Sequence, residues 1–552
     1  MSPNATESLS VAPKQVVFLL LITCLVYVQA VAFSFLHFDD TIYIVENNYV
    51  HKWESLPSFF TGAPASVAGD KAPRVANLYR PMPAIWVLLN YKLFGIRPAL
   101  WHLSALALYL QGVWLMWRVA TKLTRNSFVA LASALLYGLH PTHVEGVAWV
   151  SGASVETLLG VLFFSAFLAY LRWHEGGGSI WLATCGVLTL LALFTKETAL
   201  ALPILMLAHS AILGSPDSDT ANRGRSRFAL AITALAAVGI YALLRIHALR
   251  SVIASQPQHS WVDVLRTAPL AFVTYIRHAF WPVHLAPWYD IRIVSAAGLM
   301  NFYLPLGVCI ACAVLTVWAI IRKPLDGFLI LWWTVSLGAP IVGIIAFPEF
   351  AIVQDRLSFV AVGGLAILLA RIVARLPNKP EHVLFGFKAI GTVVILVVSV
   401  SLGMLSALQV NVWKSDFAML SHAIEVTPMS VRPRVLLGAE YMKHGNPSRA
   451  VAEYRSALDL APNRGDILYS YGIALAYNGN LSEAVHALTL ATQVSPTTPP
   501  SYFVLADVLM KEGRLDEAAN VLERGVRLNP DASLLRWQLN QIRLIQQRTV
   551  GK

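Results

Sequence analysis

Charge is what this chain has least of. Only 13% of its 552 residues are Asp, Glu, Lys or Arg, while 56% are hydrophobic. Soluble domains carry about 25% charged residues, so a wholly water-exposed protein is excluded and most of the surface must face lipid. Cysteine is scarcer still. Cys24, Cys185, Cys309 and Cys312 all lie in apolar runs, and the Cys309/Cys312 spacing lacks the further Cys or His of a zinc site. The four read as structural. A dense basic stripe with interleaved aromatics is also lacking, which excludes nucleic acid as a partner. The net charge of +11 is scattered in short clusters between apolar segments. Glycine-rich phosphate loops, dinucleotide fingerprints and Ser-His-Asp arrangements do not stand out either, so nothing here points to a cytosolic nucleotide.

What the chain does have is long apolar runs. The first, Val16 to Leu36, is about 30 Å long as a helix, enough to cross a bilayer core. It is too long for the core of a signal peptide, so it is expected to stay as an anchor after a tail at 1–15. Eleven spans are expected, at 16–36, 99–117, 127–139, 155–171, 180–195, 198–213, 228–249, 301–321, 327–347, 357–374 and 384–407. With the N-terminus inside, Arg118, Lys122 and Arg125, then Arg172, then Arg223, Arg225 and Arg227, then Arg322 and Lys323, and finally Arg371, Arg375 and Lys379 all fall in inner loops. Short Lys/Arg-rich loops stay cytoplasmic. This phase puts the loop 37–98, His140 to Ser154, Lys196-Glu197 and Asp355-Arg356 outside. The sequon Asn4-Ala5-Thr6 lies on the inner side and is discounted. The apolar stretch 262–283 carries Arg266, Pro269, Arg277 and Pro282 and is expected to be an outer re-entrant or interfacial helix.

Beyond residue 408 the hydropathy drops and a repeat begins. Pro428, Pro462, Pro496 and Pro530 recur every 34 residues. Gly438, Gly472 and Ala506 align in that frame, as do Gly445, Gly479 and Gly513, and Ala450, Ala484 and Ala518. Small residues let paired helices approach, turn glycines close the hairpin, and proline ends each second helix. This is the tetratricopeptide pattern. Residues 411–552 are expected to hold a half repeat, about three full repeats and a capping helix, Leu534 to Gln547. The expected fold is therefore all-α: a polytopic membrane bundle over 16–408 and a short α-solenoid after it.

Polar groups cluster at the outer ends of the spans. Asp39 and Asp40 follow the first span, and like charges at a membrane surface are costly unless they bind a cation or move a proton. Either could act as general base, and a divalent cation is the one cofactor that the pair leaves open. Arg80 follows in an aromatic setting. In His140-Pro141-Thr142-His143-Val144-Glu145 the spacing is not a zinc arrangement, so His143 and Glu145 are assigned to substrate and no metal ligands are named. Lys196 is expected to neutralise a lipid phosphate with Glu197 holding its ammonium, and Arg356 to grip phosphate with Asp355 as its partner.

Together these segments resemble the GT-C membrane glycosyltransferases. The similarity is greatest to the transmembrane-and-tetratricopeptide-repeat O-mannosyltransferases and their bacterial relatives. FDDxxYIxxNxxV from Phe38, Tyr79-Arg80-Pro81 with LNYxLFG from Leu89, HPxHxExVAWVSG from His140, Lys196-Glu197 and the late acidic-Arg string occur in order over roughly 35–360. The resemblance implies a catalytic acidic pair, Asp39 and Asp40, and a sugar carried on a polyprenyl phosphate. It departs from the family in Asp355-Arg356-Leu357-Ser358-Phe359, where relatives have Glu-Arg and tyrosines, and in the small number of repeats. The expected function is transfer of a hexosyl, by resemblance mannosyl, group from that lipid to Ser or Thr of an exported protein. It would take place outside a bacterial inner membrane, with the repeats gathering the polypeptide. The rival expectation is a non-catalytic membrane anchor whose repeats recruit partners for envelope assembly.

Overall fold

The computed structural model describes residues 13–37, 39–61, 78–214, 220–249, 259–345, 351–377, 383–384 and 387–550. The sequon at Asn4 and residues 62–77 of the first outer loop lie outside them. Among the described residues the regular structure is helical apart from one two-residue antiparallel pairing, Val383↔Lys388 and Leu384↔Phe387. It divides into two compact units, at 1–415 and 416–552.

Among the described residues of the first unit seven helices are long and apolar enough to cross a membrane: Lys14–Ala32, Pro98–Thr124, Val150–His174, Gly224–Leu249, Leu299–Arg322, Pro324–Gly343 and Ala389–Val412. Four more of the expected segments are shorter apolar helices, Ser127–Gly138, Ser179–Thr195, Glu197–Ile212 and Ala361–Ala374. At 1.5 Å per residue these do not reach bilayer thickness on their own. The stretch after His259 forms one helix, Trp261–Phe280, opened by a reciprocal Ser260/Asp263 capping box. It exposes Trp261, Val262 and Leu265 and buries Tyr275 and His278.

The core of this unit is aromatic. Trp332 packs among Phe163, Phe164 and Phe167, and Phe359 lies on Tyr109, Tyr137 and His143. Gly160 makes the second cluster possible. A Cβ there would come within 2.9 Å of the Phe359 ring, so only glycine lets the segment after Asp355 press onto helix Val150–His174. That contact fixes the height at which Arg356 meets Trp149, just before the helix's N-terminus.

The second unit pairs helices Val431–Lys443 with Pro447–Leu460, Gly465–Tyr477 with Leu481–Val494, and Pro499–Lys511 with Leu515–Leu528. Asp416–Val426 precedes them and Ser533–Val550 follows. Gly445, Gly479 and Gly513 stand in the turn of each pair at φ of 68°, 88° and 79°, where a side chain would be strained. Gly472 faces Leu488, whose Cγ would lie 2.5 Å from an added Cβ. Gly472→Ala is therefore expected to destabilise this unit by about 1–3 kcal/mol through overpacking. Urea titration of the full chain, read by proteolysis within 416–552, checks this; an unchanged midpoint would count against the close pairing.

Candidate active site

The two acids that follow the first apolar helix have separate placements. Asp40 is 1% exposed. Its Oδ2 accepts the Leu36 N–H at 3.0 Å, and its Oδ1 accepts the Ser151 N–H at 2.9 Å and the Ser151 hydroxyl at 2.5 Å. Ser151 lies in the first turn of helix Val150–His174, so the carboxylate sits where unpaired N–H groups and the helix dipole favour an anion. Burial pushes its pKa up to about 6, and the bonds from Ser151 and Leu36 hold it from rising further. Asp40 thus ties the loop to the bundle, and this tie sets Asp39 on the wall of a cavity of about 250 Å³.

Five other polar side chains on that wall matter to the chemistry: Tyr43, Arg80, Glu156, Lys196 and Arg356. Arg80 comes just before Pro81, whose fixed φ opens helix Pro81–Phe94. Its Nε and Nη2 both donate to Glu197 Oε2, at 3.1 and 2.7 Å. The other oxygen of Glu197 accepts from Arg245 Nη1 at 3.1 Å. Burial alone would raise the Glu197 pKa, but the two guanidiniums outweigh it and bring it down to about 2.

Lys196 does not pair with its neighbour, as the sequence led us to expect. Its Nζ donates to Glu156 Oε1 at 2.5 Å, with side-chain exposures of 5% and 1%. Arg356 likewise does not pair with Asp355. Its Nη1 donates to Glu145 Oε1 at 2.6 Å and its main-chain N–H to Glu145 Oε2 at 3.2 Å. Its guanidinium carbon lies 4.9 Å from the Trp149 ring centroid. Asp355 turns the other way, accepting from the Tyr289 hydroxyl at 2.7 Å and meeting His278 Nδ1 at 2.9 Å.

His143 is placed apart from these groups. It is buried, with Nδ1 at 3.0 Å from the Tyr109 hydroxyl, away from the cavity wall. His140 is also committed internally, to Thr142 Oγ1 at 2.8 Å and to the Ala279 carbonyl at 3.1 Å. Burial pushes its pKa down to about 4. The His-rich motif is thus a packed corner, and Glu145 supports Arg356 from behind the wall.

Burial lifts the Glu145 carboxyl from 4.5 to about 7, against the pull of Arg356. With its folded pKa above the unfolded one, the folded chain holds the extra proton between pH 4.5 and 7. That contribution to stability is full at the acid end and lost as the pH rises through about 7. The thermal midpoint of the native chain, relative to Glu145→Gln, is expected to fall between about pH 5 and 7.5. A difference that stays constant or grows with pH would contradict this burial.

Glu156 is the cavity residue that the sequence reading overlooked. Its signal was present: it is a lone acid inside the apolar helix Val150–His174, and ionisable residues in such segments are functional candidates. Arg245, inside helix Thr220–Leu249, carried the same signal.

The fold and the site together define a multi-pass helical membrane protein with a repeat solenoid and a small charged cavity walled by residues far apart in sequence. Two family models described as Tetratricopeptide repeat match residues 435–497 and 475–538. The chain's homologues are O-mannosyltransferases of the transmembrane-and-tetratricopeptide-repeat group, in keeping with the motifs. It is 28% identical over 224 residues to Protein O-mannosyl-transferase TMTC1 of Homo sapiens, covering 37% of this chain and 24% of that protein. To TMTC3 of Homo sapiens it is 31% identical over 139 residues, covering 24% and 14%. To Tmtc2 of Drosophila melanogaster it is 26% identical over 278 residues, covering 48% and 28%. The match spans about a quarter of the length of these relatives or less. Among solved structures, yeast Tom70 aligns over 81% of this chain and 96% of its own at 13% identity and a TM-score of 0.21.

Proposed function

We propose that the protein transfers a sugar from a polyprenyl phosphate to a Ser or Thr hydroxyl of an exported polypeptide, on the extracytoplasmic side of the membrane. One observation carries the reading: Asp39 shares a wall with Arg80, Lys196 and Arg356, brought together from four distant stretches of chain. At about 250 Å³ the cavity falls just below the low end of small-molecule pockets, about 300 Å³. That suits a sugar-phosphate head whose lipid tail stays in the bilayer. The names of the homologous proteins support mannose as the sugar and protein as the acceptor.

In this reading Asp39 takes the proton of the acceptor hydroxyl as the oxygen attacks the anomeric carbon. The bond from that carbon to the phosphate oxygen breaks, and its electron pair leaves with the phosphate. Arg80 and Arg356 stand over the phosphate and stabilise the charge it gains, so a separate general acid is unnecessary. Carboxylates behind both arginines fix their planes without cancelling every donor. Asp40 becomes a positioning residue rather than half of a catalytic pair. The membrane region 16–408 would hold the reaction and the repeats of 411–552 would gather the acceptor.

The test is hexose addition by the purified chain, from polyprenyl-phosphate mannose to Ser/Thr peptides, read by mass. One hexose per modified peptide is expected, and no addition would overturn the reading. Orientation is tested separately, with single cysteines in place of Glu54 and Arg225, both exposed. An impermeant thiol reagent is expected to reach only the first from outside the cell; reaction at both, or only at the second, would overturn the sidedness.

A further inference from the structure

We propose that Glu156 and Lys196 together read one hydroxyl of the transferred sugar, an assignment that rests on the sugar-transfer reading above. The pair forms part of the cavity wall. Glu156 Oε1 accepts from Lys196, while Oε2 is sealed from solvent and has no hydrogen-bond partner among the described residues. Leaving a buried acceptor unsatisfied is costly, more so when it is charged. Gly146 allows the close approach at this point, since a Cβ there would come within 2.9 Å of the Glu156 Cβ. The bond from Lys196 to Oε1 anchors the carboxylate beside the cavity.

Lys196 has three N–H donors and commits one of them to Glu156. The wall thus offers an acceptor beside donors, with no net charge across the pair. A phosphate oxygen would satisfy the lysine but meet the carboxylate with like charge. A cation would satisfy the carboxylate but be repelled by the ammonium. A hydroxyl both donates and accepts, so it can give its hydrogen to the Glu156 carboxylate, once a turn of that group brings Oε2 from beneath the wall, and take one from Nζ. Arg80 and Arg356 already provide for the phosphate elsewhere on the wall. A sugar hydroxyl is the group on a sugar-phosphate head that matches what remains. A site built to bond a hydroxyl discriminates strongly against the analogue lacking it, because its buried polar groups are then left unpaired.

The experiment uses the full chain with polyprenyl-phosphate mannose and each of its monodeoxy analogues. Wild type is expected to lose roughly 10- to 100-fold in kcat/KM toward one analogue and much less toward the others. Glu156→Gln is expected to be slower with the parent donor by a similar factor and to stop distinguishing that analogue from it. Wild type that uses all analogues alike, or a Glu156→Gln variant that keeps the discrimination, would overturn the assignment. If Glu156→Gln does not fold, the double variant Glu156→Met/Lys196→Met carries the same comparison. Thermal shifts of the chain with the same lipids separate this idea from the transfer reading. Donors bound with selectivity against one analogue but never transferred would sink the transfer and leave the hydroxyl contact standing. Equal shifts with every donor would sink the contact whether or not transfer occurs.

Discussion

Asp39→Asn is expected to lower sugar transfer by roughly 10²- to 10⁴-fold, the range for loss of a positioned general base, while leaving the thermal midpoint of the chain in place. Asp40→Asn should behave differently. An asparagine cannot accept from Leu36 N–H and from both Ser151 donors at once without turning its own NH2 group toward a donor. About 1–3 kcal/mol of stability is expected to be lost, and activity then falls because the loop that carries Asp39 loosens. Kinetics and thermal unfolding on the two single variants distinguish the roles. Equal destabilisation by both, or full transfer by Asp39→Asn, would remove Asp39 from the chemistry.

The largest stability effect is expected at Lys196. With its side chain 5% exposed and its partner Glu156 1% exposed, Lys196→Met leaves a carboxylate buried without compensation. Breaking such a pair from one side costs about 3–5 kcal/mol. Removing both charges in Lys196→Met/Glu156→Met should recover most of that loss, because two apolar side chains of similar volume avoid desolvation altogether. The recovered protein should still transfer poorly. Thermal midpoints of the four members of this cycle decide the matter: additive losses in the double variant would show that the two side chains do not depend on one another.

The repeats were legible because their signal is periodic. Gly472 must be small under Leu488 and Gly479 must adopt positive φ, and both demands recur every 34 residues. The outer polar groups were legible too, as interruptions where apolar runs end. Their pairing was not. Lys196 has extended backbone, at φ −163° and ψ 145°, and successive side chains of an extended chain point to opposite faces. Lys196 and Glu197 therefore diverge although they are neighbours, one to Glu156 and the other to Arg80 and Arg245. Asp355 and Arg356 also part company, because both lie in the 3₁₀ turn Asp355–Ser358, where successive side chains point about 120° apart. Adjacency in sequence suggested ion pairs that local geometry forbids. Glu156 escaped notice for the opposite reason, standing as the lone acid of helix Val150–His174 with no charged residue near it in the chain.

The cavity wall takes its working residues from the stretches 39–44, 78–87, 149–156, 196 and 354–357. A ribosome threading this chain into a bilayer must therefore have released nearly two-thirds of it before the last arginine arrives. Until then the acid at 39 has no complete receptacle around it, and Arg356 is missing from the wall. On the proposed reading, a chain cut before residue 357 is therefore expected to transfer no sugar.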